Sequence, residues 1–162
     1  MAKKNNNVLV AYFTKSGASE QYAKVIAQTL MDNGFDVKTY NLSEDIPDLA
    51  FFDTVIVGTG VRMFRVYSAW KKILKQKQLS DKHLFMFLSS GTAIEDADKA
   101  VEKYLNPLKK KYNLSPKSMV SFPGIMPEKW AKPDNEKQTF KPEDAQDWAK
   151  QIVLEIQKNT SC

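Results

Sequence analysis

VLVAYFTKSGASEQYA, Val8 to Ala23, passes through three kinds of chain in quick succession. Val8 to Phe13 is a continuous apolar run. It is too short for a helix and reads as a strand buried on both faces. Thr14-Lys15-Ser16-Gly17-Ala18-Ser19-Glu20 follows as a polar loop. Tyr22, Val25, Ile26, Thr29 and Leu30 then recur at helical spacing until Gly34 punctuates the end.

The same alternation continues outward. Phe35 to Tyr40 reads as a second, half-polar strand, and Thr54 to Gly60 (TVIVGTG) as a third, fully apolar one. Tyr67 to Gln78 has the spacing of a basic amphipathic helix. Leu84 to Leu88 (LFMFL) is a fourth strand, ending in Ser89-Ser90-Gly91-Thr92. Ala97, Ala100, Val101, Tyr104, Leu105, Leu108 and Tyr112 form a helical stripe. Ser118 to Phe122 is a fifth strand, ending at Pro123-Gly124. A polar connection, Trp130 to Lys141, leads to a last helix on Ala145, Trp148, Ala149, Ile152 and Ile156. Strands alternating with helices imply an α/β domain with a parallel sheet covered on both faces. The length, 162 residues, suits one such domain over 1–162, and no repeat or low-complexity segment interrupts it. Sheets of this kind bind ligands outside the carboxyl ends of their strands, where strand order reverses. The loops after strands one, three, four and five carry the Gly, Ser and Thr.

Composition removes several function classes. With 43% hydrophobic and 27% charged residues, the chain is not mainly disordered. No apolar run approaches the ~20 residues of a membrane-spanning helix. The single cysteine, Cys162, excludes an internal disulfide and a cysteine metal site, and fits a reducing compartment. The single histidine, His83, would have to serve any Ser-His or Cys-His engine, but it stands at the edge of a strand with no nucleophile elbow nearby. Met1 to Asn7 is polar and lacks the apolar core of a signal peptide, which points to the cytoplasm.

Lys and Arg number 24 and Asp and Glu 19, a net charge of +5. Such an excess serves an anionic substrate, a nucleic acid, an acidic partner or membrane surface, or solubility alone. Counted by segment, residues 61–120 carry 13 basic and 5 acidic side chains, a net of +8, while 1–60 and 121–162 are at −2 and −1. No nucleic-acid recognition motif accompanies the basic segment. The excess is expected around the ligand mouth, on Arg62, Arg65, Lys71, Lys72, Lys75 and Lys77. It is also what the wet face of an amphipathic helix shows.

The loop after the first strand is the strongest chemical signal. The amides at a helix N-terminus lack partners, and the helix dipole favours an anion there. Hydroxyls add donors, and Gly17 lets the backbone curl around a tetrahedral group. This pattern is a phosphate cradle, although Ser16 or Ser19 would also serve as a plain helix cap. The triphosphate loop GxxxxGK[ST] and the dinucleotide fingerprint GxGxxG are both absent.

Thr14, Ser16, Gly17, Ser19 and Glu20, behind an apolar strand and an aromatic residue, resemble the FMN-phosphate signature of the flavodoxins, [ST]-x-[ST]-G-x-[ST]-E. Lys15 and Ala18 differ from common choices there, at positions that offer the family backbone N–H groups. The resemblance covers nearly the whole chain. It implies a flavodoxin-like, three-layer, doubly wound fold with a five-stranded parallel sheet in the order 2-1-3-4-5. Val55 to Trp70 is similar to the third-strand region of the flavodoxin-like menaquinone-dependent protoporphyrinogen dehydrogenases, through Gly58, Arg62, Ser68 and Ala69. Ser118 to Trp130 resembles the same branch less specifically. Those dehydrogenases carry a long basic, apolar-studded insertion before the last helix. Here 131–141 is the short polar AKPDNEKQTFK, which speaks against membrane attachment and quinone coupling.

The resemblance implies FMN as cofactor. Thr14, Lys15, Ser16, Gly17, Ala18 and Ser19 would hold its phosphate. Its ring would lie between Thr59, Gly60, Val61, Arg62, Met63 and Phe64 on one side and Ser89, Ser90, Gly91 and Thr92 on the other. Met63, Phe64 and Tyr67 would supply a flat face, or are ordinary packing. Arg62 would pair with a substrate anion, or is a solvated loop residue. The redox chemistry would belong to the flavin, so no catalytic side chain and no metal site is assigned. The partner would be a redox protein or an anionic small molecule, with a quinone as acceptor in the dehydrogenase reading. The alternatives are an electron carrier without a substrate of its own, and a binding module that has lost FMN.

Overall fold

Alternate side chains of the central strands point to opposite faces of one sheet, and both sets are apolar. The computed structural model describes residues 7–13, 18–42, 48–62, 65–66, 72–76, 79, 82–90, 97–123 and 142–160. Its strands are β1 (Asn7–Phe13), β2 (Asp36–Asn41), β3 (Thr54–Arg62), β4 (Arg65–Val66), β5 (His83–Ser90) and β6 (Ser118–Pro123). The helices are α1 (Ala18–Asp32), a short α2 at 72–74, α3 over 97–111, and α4 (Pro142–Thr160).

The sheet order is β2-β1-β3-β5-β6, with every neighbouring pair parallel. Leaving the short β4 aside, this is the expected 2-1-3-4-5. Val8, Val10, Tyr12, Ile56, Phe85 and Phe87 face α1 and α4, where they meet Tyr22, Ile26, Leu30, Trp148 and Ile152. Leu9, Ala11, Phe13, Val55, Val57, Leu84, Met86 and Leu88 face the other layer, with Ile73, Leu74, Tyr104, Leu105 and Leu108. A fully buried Leu, Ile or Phe side chain is worth roughly 1.5–3 kcal/mol. The exposed Lys24–Glu20 pair, 3.5 Å apart, belongs to a class worth only about 0.3–0.5 kcal/mol. The two apolar layers therefore decide the architecture.

Local chemistry sets the joints. After α1, Phe35 N–H donates to Leu30 O and Gly34 N–H to Met31 O, both at 3.1 Å, with Gly34 at φ +92°. This is a Schellman ending, and only a residue without Cβ takes that φ freely. In α3 the turn Val101–Leu105 is π-helical, and Asn106 N–H reaches back to Val101 O. Pro107 explains it: proline has no N–H for Lys103 O and would clash with it in an α-turn. Trp148 Nε1 donates to Ser118 Oγ at 2.9 Å, and its ring meets Phe85, Phe87 and Phe122 edge-on at 6.0–6.3 Å.

Three expectations need correction. β3 runs on to Arg62 and turns back as β4, pairing Val61 with Val66 and Arg62 with Arg65. Val61 and Arg62 therefore lie in a strand, not a loop. Ser89 and Ser90 likewise end β5 rather than begin the loop after it. Of the helix expected over 67–78, 72–74 is helical. Lys75 and Gln76 leave it through bonds to Lys72 O and Ile73 O, because the next apolar anchor is Leu79. Residues 67–71, 77–78 and the connection 130–141 lie outside the described residues.

Gly58 stands opposite both Tyr12 and Phe87, and a Cβ built on it would collide with the Phe87 ring. Gly58→Ala is expected to destabilise the fold by roughly 1–3 kcal/mol, read from urea unfolding. An unchanged midpoint would show that Phe87 is free to move. His83, the first residue of β5, has its pKa lowered by burial and then by the charge of Lys117. The unfolded chain therefore takes up that proton first. The contribution of His83 is complete above its ordinary pKa of 6.5 and is lost as pH falls through the window below it. His83→Gln should flatten the loss of stability between about pH 7.5 and about pH 5; an unchanged slope would assign that loss to other groups.

Candidate functional site

The chain leaves β1 toward α1 on one face and leaves β3 toward α2 on the other, so strand order reverses between their carboxyl ends, the place where sheets of this kind bind ligands. Three expected residues meet there on the α1 face. Ser19, in the first turn of α1, is fully buried, and its Oγ lies 2.9 Å from Ser89 Oγ at the end of β5. Gly60 lies between them: a Cβ there would stand 3.5 Å from Ser89 Oγ and 3.8 Å from Ser19 Oγ. Thr59 belongs to the same strand end but points to the other face. Its hydroxyl donates to Phe13 O at 3.2 Å or Gly60 O at 3.3 Å and ties the end of β1 to β3.

The Ser19 hydroxyl does not close a helix cap; it crosses to β5. Each serine carries one hydroxyl proton, and the bond between them uses one of the two. The first amides of α1 have no intrahelical acceptor and face the same end. Nearby Tyr12 has its pKa raised by burial and then by Glu20, so it stays a neutral phenol. The Ser19–Gly60–Ser89 cluster contains hydroxyls and bare backbone and no carboxylate. That donor set fits an oxyanion such as a phosphate monoester. Among the described residues no cluster of His, Cys, Asp and Glu could hold a metal ion.

The backbone places Ala18 at the start of α1, Val61 and Arg62 at the far end of β3, and Ser90 at the end of β5. Thr14, Lys15, Ser16, Gly17, Met63, Phe64, Gly91 and Thr92, with Tyr67, lie outside the described residues. Sequence reasoning missed the Ser19–Ser89 bond, since two serines 70 positions apart give no local signal. It also missed the β3–β4 hairpin. The mirrored Val-Arg-x-x-Arg-Val over 61–66 was its trace, but Met63-Phe64 lacks the Gly or Asn of a tight turn.

Among the described residues the basic side chains are divided between the two ends of the sheet. Arg62 and Arg65 are placed at the carboxyl side, in the hairpin, and Lys71 and Lys77 lie outside the described residues. Lys75 and Lys82 line a cleft of about 570 Å³ with Leu84, Tyr112 and Leu114, at the amino ends of β5 and β6. Lys109, Lys110 and Lys111 end α3 on that same side, where cations complement the helix dipole. The segment count mixed opposite ends of the sheet because each helix carries its chain from one end to the other.

Either Ser19→Ala or Ser89→Ala leaves a buried hydroxyl unpaired and is expected to cost roughly 1–3 kcal/mol. The double variant should cost less than the sum of the two, by chemical denaturation. Strict additivity would mean that the hydrogen bond carries no coupling.

The architecture recurs in solved proteins. It is similar to oxidised flavodoxin 2 from Bacillus cereus at 20% identity and a TM-score of 0.64, over 92% of this chain and 99% of that one. A flavodoxin from the Archaea matches at 12% identity and a TM-score of 0.62, over 93% of this chain and 99% of that one. The rubredoxin oxygen:oxidoreductase of Desulfovibrio gigas matches at 16% identity and a TM-score of 0.63, over 97% of this chain but only 37% of that much longer one. No curated protein matches the sequence. The family model described as "Flavodoxin domain" matches residues 9–129, most of the chain. The chain belongs to the flavodoxin domain family, whose cofactor is FMN.

Proposed function

We propose that this protein is a small FMN-dependent oxidoreductase acting on an anionic substrate. The observation that carries the reading is the Ser19–Gly60–Ser89 cluster, with the paired Arg62 and Arg65 just past it on the β3–β4 hairpin. When bound, FMN supplies the redox chemistry, taking up and returning electrons. The chain binds and orients. The α1 amides and the hydroxyls of Thr14, Ser16 and Ser19 donate to the phosphate, with Lys15, Gly17 and Ala18 offering backbone N–H groups. Thr59 to Phe64 and Ser89 to Thr92 flank the ring. Arg62 extends beyond the last paired residue of β1, Phe13, where it meets a carboxylate of the substrate.

The likeness of Arg62, Ser68 and Ala69 to the protoporphyrinogen dehydrogenases makes a porphyrinogen the first substrate to test, with a quinone as acceptor. Gly58, which shares that likeness, is already explained by the Phe87 ring. A second reading, an electron carrier with no substrate of its own, is favoured by the match to 99% of the length of whole flavodoxins.

Combined Ser16→Ala and Ser19→Ala should weaken FMN binding by about tenfold or more in a fluorescence titration, since hydrogen bonds to a charged phosphate are lost. Unchanged affinity would refute the phosphate assignment. Arg62→Glu should keep FMN and lower kcat/KM for porphyrinogen oxidation by a quinone, assayed without oxygen. If the unsubstituted protein does not turn over although its flavin exchanges electrons with a one-electron partner, the carrier reading replaces the enzyme.

A further inference from the structure

β6 closes one edge of the sheet, and its outer side forms the floor of a groove of about 260 Å³. Asp98 and Val101 of α3 form one wall; Asp144, Asp147 and Gln151 of α4 form the other. The direction of the backbone groups follows from the ladder. His83 N–H donates to Asp53 O, with His83 opposite Thr54, so alternate residues from His83 onward turn their peptide groups to β3. Leu84, Met86 and Leu88 therefore turn theirs to β6. Met86 lies opposite Met119 and Leu88 opposite Ser121, so Val120 and Phe122 supply the β6 side of that ladder. Met119 and Ser121 direct their N–H and C=O outward, into the groove. Pro123 is next in this outward series and has no N–H, as edge positions tolerate.

Two further observations point to an occupant. Ser121 is only 7% exposed, yet its hydroxyl has no hydrogen-bond partner among the described residues, and the residue lines the groove. Asp98, Asp144 and Asp147 are exposed, and they place acidic groups on both walls in a chain of net charge +5. An extended chain presents alternate side chains to opposite faces. We propose that this edge accepts an extended basic segment of a partner protein as an added strand. Its backbone pairs with Met119 and Ser121. Its Lys or Arg side chains reach Asp98 on one face and Asp144 and Asp147 on the other. A second copy of this chain does not fit, because edge-to-edge pairing would set these carboxylates against one another.

The probe is the peptide acetyl-Lys-Arg-Val-Thr-Lys-Arg-amide, titrated into the full chain and followed by amide shifts and hydrogen exchange. The Met119 and Ser121 amides should exchange fast in the free protein and become protected as peptide is added. Asp147→Lys, past the first turn of α4, should weaken binding by about tenfold, and added salt should do the same. Ser121→Pro removes one outward N–H without touching the β5–β6 ladder and should weaken it too. Slow exchange before peptide is added would overturn the proposal, since the edge would already be covered. So would equal binding of the same peptide with Glu in place of Lys and Arg, an undiminished affinity in Asp147→Lys, or protection that grows with protein concentration alone.

Discussion

Burial of both faces of the central strands is the constraint from which the rest follows. The side chains of β1, β3 and β5 are apolar on both sides, so neither face can be left to water. The chain must carry helices to both. α1 and α4 cover one face, while Ile73, Leu74 and α3 cover the other. Because the sheet is parallel, the helix that follows each strand starts at the same end. Unpaired helix amides and the hydroxyls of the strand ends then collect where the chain switches faces, between β1 and β3. A ligand end arises from the way the core is covered.

The sequence was most legible where that constraint acts. Uninterrupted runs such as Val8 to Phe13 and Leu84 to Leu88 have few alternatives to buried strands. The order of the strands came through the resemblance of the first loop, not through the pattern itself. Strand ends were less legible. β3 and β5 continue into residues that look like loop, Val61-Arg62 and Ser89-Ser90, because pairing with a neighbour prolongs a strand beyond its apolar run. In the candidate site, Ser19, Gly60 and Ser89 were all named from sequence. The bond that joins two of them depends on the distance between α1 and β5 in space, which no local pattern encodes. Thr59, named with them, ends the same strand, but its hydroxyl serves the opposite face.

Charge shows the same limit. A count along the chain treats residues 61–120 as one patch, yet a helix between two strands starts at one end of the sheet and finishes at the other. Arg62 and Arg65 stay at the carboxyl end of β3, while Lys75, Lys82 and Lys109 to Lys111 end near the amino termini of the strands.

The π-turn at Val101–Leu105 gives α3 a tolerance that plain helices lack. A π-turn holds one residue more than an α-turn, while the stripes before and after it keep the same face. Ala100 on one side and Leu108 on the other are both buried against the same layer. A relative with one residue fewer between these points, and no proline at position 107, can form an unbroken α-helix and still deliver its chain to the start of β6. A single-residue deletion in this helix would therefore change the helix type and not displace the edge strand.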